Sequence, residues 1–234
     1  MKQVKTTRNP NTASLVKTTR KSVTADSAKT VRKSVTAGGE YTREYFEKWY
    51  RNPRHRVKSP AELARQVAFV LHTAEWVLGR RARSVLDVGC GEGQWRAALR
   101  THRPGIRYTG IDPSTYAVER FGKRRNISLG SFENLGQLSQ TGPFDLVICC
   151  GMLNYINTTS LAAGLVHVAS LTHGVAFLEI FTGADATEGD TSWPKPQSAD
   201  WYRSILQNAG LTSVGLHCYV PNGRHAIAEL EQAF

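Results

Sequence analysis

Nowhere in the 234 residues do eighteen apolar residues follow one another, so no segment is suited to cross a bilayer as a helix. No apolar h-region follows Met1, so no secretory signal is expected. Cysteine is scarce: Cys90, Cys149, Cys150 and Cys218 lack metal-ligand spacing, and two of them are neighbours in an apolar run. Reduced, structural thiols and a cytoplasmic setting are therefore expected. The histidines His102, His167, His173, His217 and His225 are scattered, none is marked as a base, and no metal-ligand set is visible. The first forty residues hold no aromatic side chain and little Leu or Ile, too little apolar surface to fold alone.

Acidic residues are also few, 19 against 30 Lys and Arg, for a net charge of +11. The imbalance is local. Residues 1–60 hold 15 basic and 4 acidic side chains, whereas residues 61–234 hold 15 of each. The basic pI therefore gives no reason to expect nucleic acid on the remainder of the chain. Within residues 1–40 a twelve-residue period recurs: Val4-Lys-Thr-Thr-Arg8 returns as Val16-Lys-Thr-Thr-Arg20 and loosely as Ala28-Lys-Thr-Val-Arg32. Such a tail reads as disordered, and as a nucleic-acid arm, a tether, a transit peptide or an appendage without a role in the working domain.

At Tyr41 the composition changes. Tyr45, Phe46, Trp49 and Tyr50 share a helical face among Arg43, Arg51, Arg54, His55 and Arg56. Interleaved rings and cations can stack on bases, which makes residues 1–60 the possible nucleic-acid contact. The same spacing also suits a face that packs on a domain as a lid. Ser59-Pro60-Ala61-Glu62 then reads as a capping box opening a helix to Gly79, with Leu63, Val67, Val70, Leu71, Ala74 and Val77 inward. His72 and Trp76 on this helix read as packing residues. The expected divisions are a tail (1–40), a lid and helix (41–82) and a domain (83–234).

Arg83 to Trp95 is the most informative stretch. Ser84-Val-Leu-Asp-Val88 is an apolar run holding a carboxylate, as a strand buried on both faces would be. Gly89, Cys90, Gly91, Glu92 and Gly93 follow, and a helical pattern begins. Strand, glycine turn and helix start together make a nucleotide-binding corner, because glycines admit close backbone approach and the helix offers unpaired N–H groups. The spacing is not the Gly-x-Gly-x-x-Gly of dinucleotide sites, nor does Gly-Lys-Ser/Thr follow. Asp87 can receive an ammonium group but would repel a pyrophosphate.

These residues resemble the first motif of the class I S-adenosylmethionine-dependent methyltransferases, (Val/Leu)-Leu-Asp-x-Gly-x-Gly-x-Gly, over roughly Arg83 to the C-terminus. The resemblance implies a doubly wound, mostly parallel seven-stranded α/β sheet of the Rossmann-like kind, ending in an antiparallel hairpin. It implies S-adenosylmethionine as cofactor, with the methionine part held by Asp87, Gly89, Cys90, Gly91 and Gly93. A second strand, Arg107 to Asp112, ends in a carboxylate placed for the ribose hydroxyls, with Pro113 beside it. At the third strand's exit Ser131 stands where the family has an acid, with Phe132 next to flank the adenine; Met152 borders the adenine or sulfonium.

The fourth strand and its loop, Phe144 to Tyr155, match the family's Phe-Asp-x-(Val/Ile) strand. No (Asn/Asp)-Pro-Pro-(Tyr/Phe) motif for base amino groups is present, nor a Pro-Cys nucleophile for C5-cytosine chemistry. Candidate acceptor-side residues are Asn154, Tyr155 and Glu179, with Asp190 in a long 183–197 loop beside them. A final strand pair, Leu211 to Val220 and Arg224 to Leu230, is expected around Pro221-Asn-Gly223. The expected acceptor is a small molecule methylated on O or N. Two alternatives stand beside it: an RNA or protein methyltransferase recruited through the basic N-terminus, and a non-catalytic S-adenosylmethionine-binding module.

Overall fold

Seven strands make one sheet in the order β3-β2-β1-β4-β5-β7-β6. They are β1 (Ser84–Val88), β2 (Arg107–Asp112), β3 (Ile127–Leu129), β4 (Phe144–Cys149), β5 (Thr172–Leu178), β6 (Leu211–Gly215) and β7 (Cys218–Pro221). The computed structural model describes residues 41–185, 187, 189, 190 and 192–223, without the side chains of 139–141. The repetitive tail, Glu188 and the expected strand Arg224–Leu230 lie outside these residues.

β1 through β5 are parallel, and β7 runs antiparallel between β5 and β6. Every residue of β1 and β4 is buried, which is why their sequences are mostly apolar and not alternating, with Ser84, Asp87 and Asp145 as the polar exceptions. The hairpin differs from the expectation. Its turn is Leu216–His217, between paired Gly215 and Cys218, and both residues have positive φ (50° and 63°). A two-residue hairpin loop of this hand matches the twist of the strands. Pro221 is the last residue of β7, and Asn222 and Gly223 follow it at the end of the described residues.

The crossovers are α3 (Gln94–His102), α4 (Thr115–Arg125), a 3₁₀ segment (Phe132–Thr141) and α5 (Thr158–Leu171); α6 (Ala199–Asn208) precedes the hairpin. Before the sheet come a short helix, α1 (Arg43–Phe46), which widens into a π-helical turn (Glu47–Arg51), and α2 (Pro60–Leu78). Ser59 caps α2 in a full capping box, and Gly79 ends it in the left-handed conformation. Val67, Val70, Leu71 and Ala74 of α2 join Trp95 and Leu99 of α3 in one core layer. Phe132, Leu161, Leu165 and Val168 build the layer on the other face. The ring of Phe132 lies so close to Gly164 that a Cβ there would meet it at 2.1 Å, so α5 needs glycine at this point. Trp76 does not pack: it is 87% exposed, on the side of α2 opposite the core.

Candidate functional site

β1 and β2 deliver their carboxylates to the same edge of the sheet. Asp87 is 2% exposed and accepts a hydrogen bond from the Tyr108 hydroxyl at 2.6 Å. Burial, opposed by that bond, pushes its carboxyl up to about 7. Asp112 is held by the backbone N–H of Gly91 at 2.6 Å and of Ser114 at 2.8 Å. Burial raises its carboxyl to about 6 against those two donors. Between them runs the glycine turn, with Gly89, Gly91 and Gly93 all at positive φ. A Cβ built on Gly91 would lie 2.9 Å from both Phe46 and the Tyr50 hydroxyl, and one on Gly89 2.8 Å from Met152. Cys90 is buried, with its thiol pushed up by desolvation, and faces Gly110 of β2.

Residues 41–58 form a strap over this edge. The Ser114 hydroxyl donates to the Tyr41 carbonyl at 2.6 Å, Arg51 pairs with buried Glu92, and Phe46 stacks on Tyr116. At the far end Lys58 meets Glu179, just past β5, at 2.6 Å. Glu179 also accepts from Gln66 at 3.1 Å and from the Cys150 thiol at 3.2 Å. Burial works to raise its carboxyl, but the attraction of Lys58 and these donors outweigh it and hold the group below its ordinary value.

A wall of rings joins the strap to the two loops opposite. Tyr41 touches Tyr45 and Tyr155, Tyr155 meets Trp193 at 5.3 Å, and Trp193 stacks on Phe181. The Tyr155 hydroxyl donates to the Asp190 carbonyl at 2.9 Å. Burial first, with Asp190 among the nearby charges, raises the phenols of Tyr41, Tyr45 and Tyr155, and the Asp190 carboxylate itself accepts from the Ser192 N–H at 3.0 Å. Asn154 spends both ends of its amide on Phe181, donating to the carbonyl at 2.8 Å and accepting from the N–H at 3.0 Å. It fixes the loop that carries the wall.

The sequence-predicted residues thus meet at one edge, and Phe132 is the exception. Phe132 is 1% exposed and turned into the core, because β3 stops at Leu129 and the 3₁₀ segment rotates the ring inward. Ser131 bonds Asn134 through its hydroxyl at 2.9 Å, and Pro113 is exposed beside Asp112. Sequence reasoning missed Lys58, Gln66, Tyr108, Phe181 and Trp193. The aromatic density of 41–50 pointed to the strap, but no local signal linked Lys58 to Glu179, 121 residues away.

A family profile described as a methyltransferase domain matches residues 54–233. No curated protein sequence matches significantly. Among solved structures the chain is similar to the sugar N-methyltransferase KedS8 from Streptoalloteichus (22% identity, 81% of this chain and 97% of that one, TM-score 0.53). It is similar as well to a SAM dependent methyltransferase from Archaeoglobus fulgidus (17% identity, 72% and 73%, TM-score 0.51). A third is DesVI of Streptomyces venezuelae (17% identity, 69% and 91%, TM-score 0.51). The strand order, the glycine turn and the profile covering most of the sequence agree: the chain belongs to the class I S-adenosylmethionine-dependent methyltransferases.

Proposed function

We propose that the acceptor is a small molecule methylated on nitrogen or oxygen, and that an amine fits the site best. The observation that carries this reading is the ring wall of Tyr41, Tyr45, Tyr155 and Trp193, to which the Tyr155 hydroxyl ties Asp190. Aromatic faces attract an ammonium group, and a carboxylate both holds it and takes its proton.

The residues at the sheet edge suit S-adenosylmethionine. Asp87 would receive the ammonium of the methionine part, the backbone of Gly89, Cys90, Gly91 and Gly93 would run beneath it, and Asp112 would accept the ribose hydroxyls. Two buried carboxylates with raised affinity for protons favour a cationic, diol-bearing ligand over an anionic one. Met152 above Gly89 would border the sulfonium. When bound, the cofactor supplies a methyl group on a sulfur that is already a good leaving group. The chain's own part is to position the acceptor in line, exclude water and remove one proton. The strap and ring wall exclude water. Tyr155 and Asn154 orient the wall through Asp190 and Phe181. Asp190 takes the proton. Glu179, already bonded by three donors, keeps the strap in register through Lys58.

The test is turnover against a panel of small primary and secondary amines and matched alcohols, with Asp190→Asn and Asp112→Ala beside wild type. Asp112→Ala is expected to weaken cofactor binding by about 1–3 kcal/mol. Asp190→Asn is expected to bind cofactor normally and lose about a hundredfold in kcat at neutral pH. Its activity should recover as the pH approaches the amine's own pKa. Equal kcat for wild type and Asp190→Asn would remove the base from the proposal.

A further inference from the structure

The outward side of α2 carries a feature that methyl transfer does not use. Phe69 is 40% exposed and Trp76 is 87% exposed, with His72 between them; together with Ala68 and Thr73 they form one shallow surface. The three rings fall at spacings of three and four residues, so they rise in a row along one helical face. A single exposed ring is ordinary, but Phe69 and Trp76 lie in one contiguous surface, the arrangement that marks an interaction site.

The surroundings fix the sign of that partner. Arg65 lies one turn before Phe69 on the same face. α3 packs alongside α2, carrying Arg96 and Arg100 one turn apart, and Arg103 follows just past its end. The one acid beside the rings, Glu75, is paired with Arg103, and the His72 ring lies 3.3 Å from it. More broadly, residues 41–125 hold 18 basic and 8 acidic side chains, whereas residues 126–223 hold 2 and 7. A second copy of the chain would bring like charge against like, which disfavours self-association here.

We infer that this face of α2, with the α3 arginines as its rim, docks a single-stranded nucleic acid: its bases stack on Trp76 and Phe69 and its phosphates lie on Arg65 and Arg100. Rings that stack with any base, beside a track of cations, are what sequence-tolerant strand binding needs. The inference stands apart from the acceptor proposed above, and places strand binding on the folded domain, not on the strap rings of 41–50, which face the methyl-transfer site.

The experiment titrates the full chain into a fluorescein-labelled twelve-nucleotide oligouridylate and monitors anisotropy between 50 and 300 mM salt. Every variant keeps the basic tail, so the tail's contribution is common to all. Trp76→Ala should weaken binding about tenfold with the salt slope unchanged, because a stacked base is lost and no phosphate contact is. Arg100→Ala should lower the slope by about 0.7, the value for one phosphate on a single strand. The cofactor-induced thermal shift serves as the folding control and should not move in either variant. Binding by Trp76→Ala equal to wild type at every salt overturns the inference, as does a wild type that does not bind the strand. So does loss of binding to phosphatidylserine vesicles in Trp76→Ala with strand binding intact, which would assign the face to a membrane surface.

Discussion

Asp87 carries the clearest electrostatic consequence of the fold. Tyr108, Cys90, Cys149, Cys150 and Asp112 are the titratable groups around it, and none is a cation. Its folded pKa of about 7 lies above the unfolded value near 4, so the folded state binds the extra proton. The stability this brings is complete below about pH 4 and is lost as the pH rises to 7. About three units correspond to roughly 4 kcal/mol for a fully buried group. Asp112, at about 6, adds to the loss in the lower part of the same window. The thermal midpoint of the ligand-free protein should therefore fall from pH 5 to pH 8, and the slope should shrink markedly in Asp87→Asn. An unchanged slope would mean that water or movement relieves the charge. A ligand ammonium reverses the preference, so the stabilisation given by S-adenosylmethionine should grow with pH across the same range. At a hundredfold over its dissociation constant it reaches about 2.7 kcal/mol.

Among the elements, the strap and the end of β5 are joined by an ion pair whose loss the fold should feel. Lys58→Met leaves Glu179 buried without its cation, and such a break costs about 3–5 kcal/mol. Removing the charge as well, in Lys58→Met with Glu179→Gln, should recover most of it; urea midpoints of the two would show this. If the single and double variants unfold together, solvent already screens the pair. Ser59→Ala, which loses only the cap of α2, should cost about 1 kcal/mol. These elements also mark the limits of the sequence. The cap, the glycine turn and the carboxylates of β1 and β2 are legible because each is written within a few consecutive residues. The hairpin turn is not, because Leu216 and His217 adopt positive φ that their residue types do not announce, while Pro221-Asn-Gly223 carries a stronger turn signal. Phe132 escapes the reading for a similar reason: β3 ends early, and the 3₁₀ segment then turns the ring inward. Trp76 reads as packing because periodicity assigns a face to a stripe and not to each ring at its margin.

Across the whole molecule, the site is assembled from stretches that the chain holds far apart: the strap at 41–58, the β4 loop at 150–155 and the 181–193 loop. They meet because parallel strands with crossovers send the loops at their C-terminal ends to one edge. The strap is the only one of these that precedes the sheet, and it reaches the site through Tyr41, Phe46, Tyr50 and Lys58. Cofactor binding should then depend on the strap and not on the repetitive tail. A chain lacking residues 1–40 keeps every contact described for the site, and its thermal shift with S-adenosylmethionine should equal that of the full chain. Its strand binding should fall and depend less on salt, since 9 cations and 2 acids leave with the tail, yet Trp76→Ala should still weaken it about tenfold. A chain lacking residues 1–58 loses the cover over Gly91 and the partner of Glu179, and should show little or no shift with cofactor. Far-ultraviolet circular dichroism separates this from simple unfolding, because the seven strands and α2 to α6 all lie beyond residue 58. A normal cofactor shift in the shorter chain would make the strap an acceptor element alone, and Asp87, the glycine turn and Asp112 would then hold the cofactor unaided.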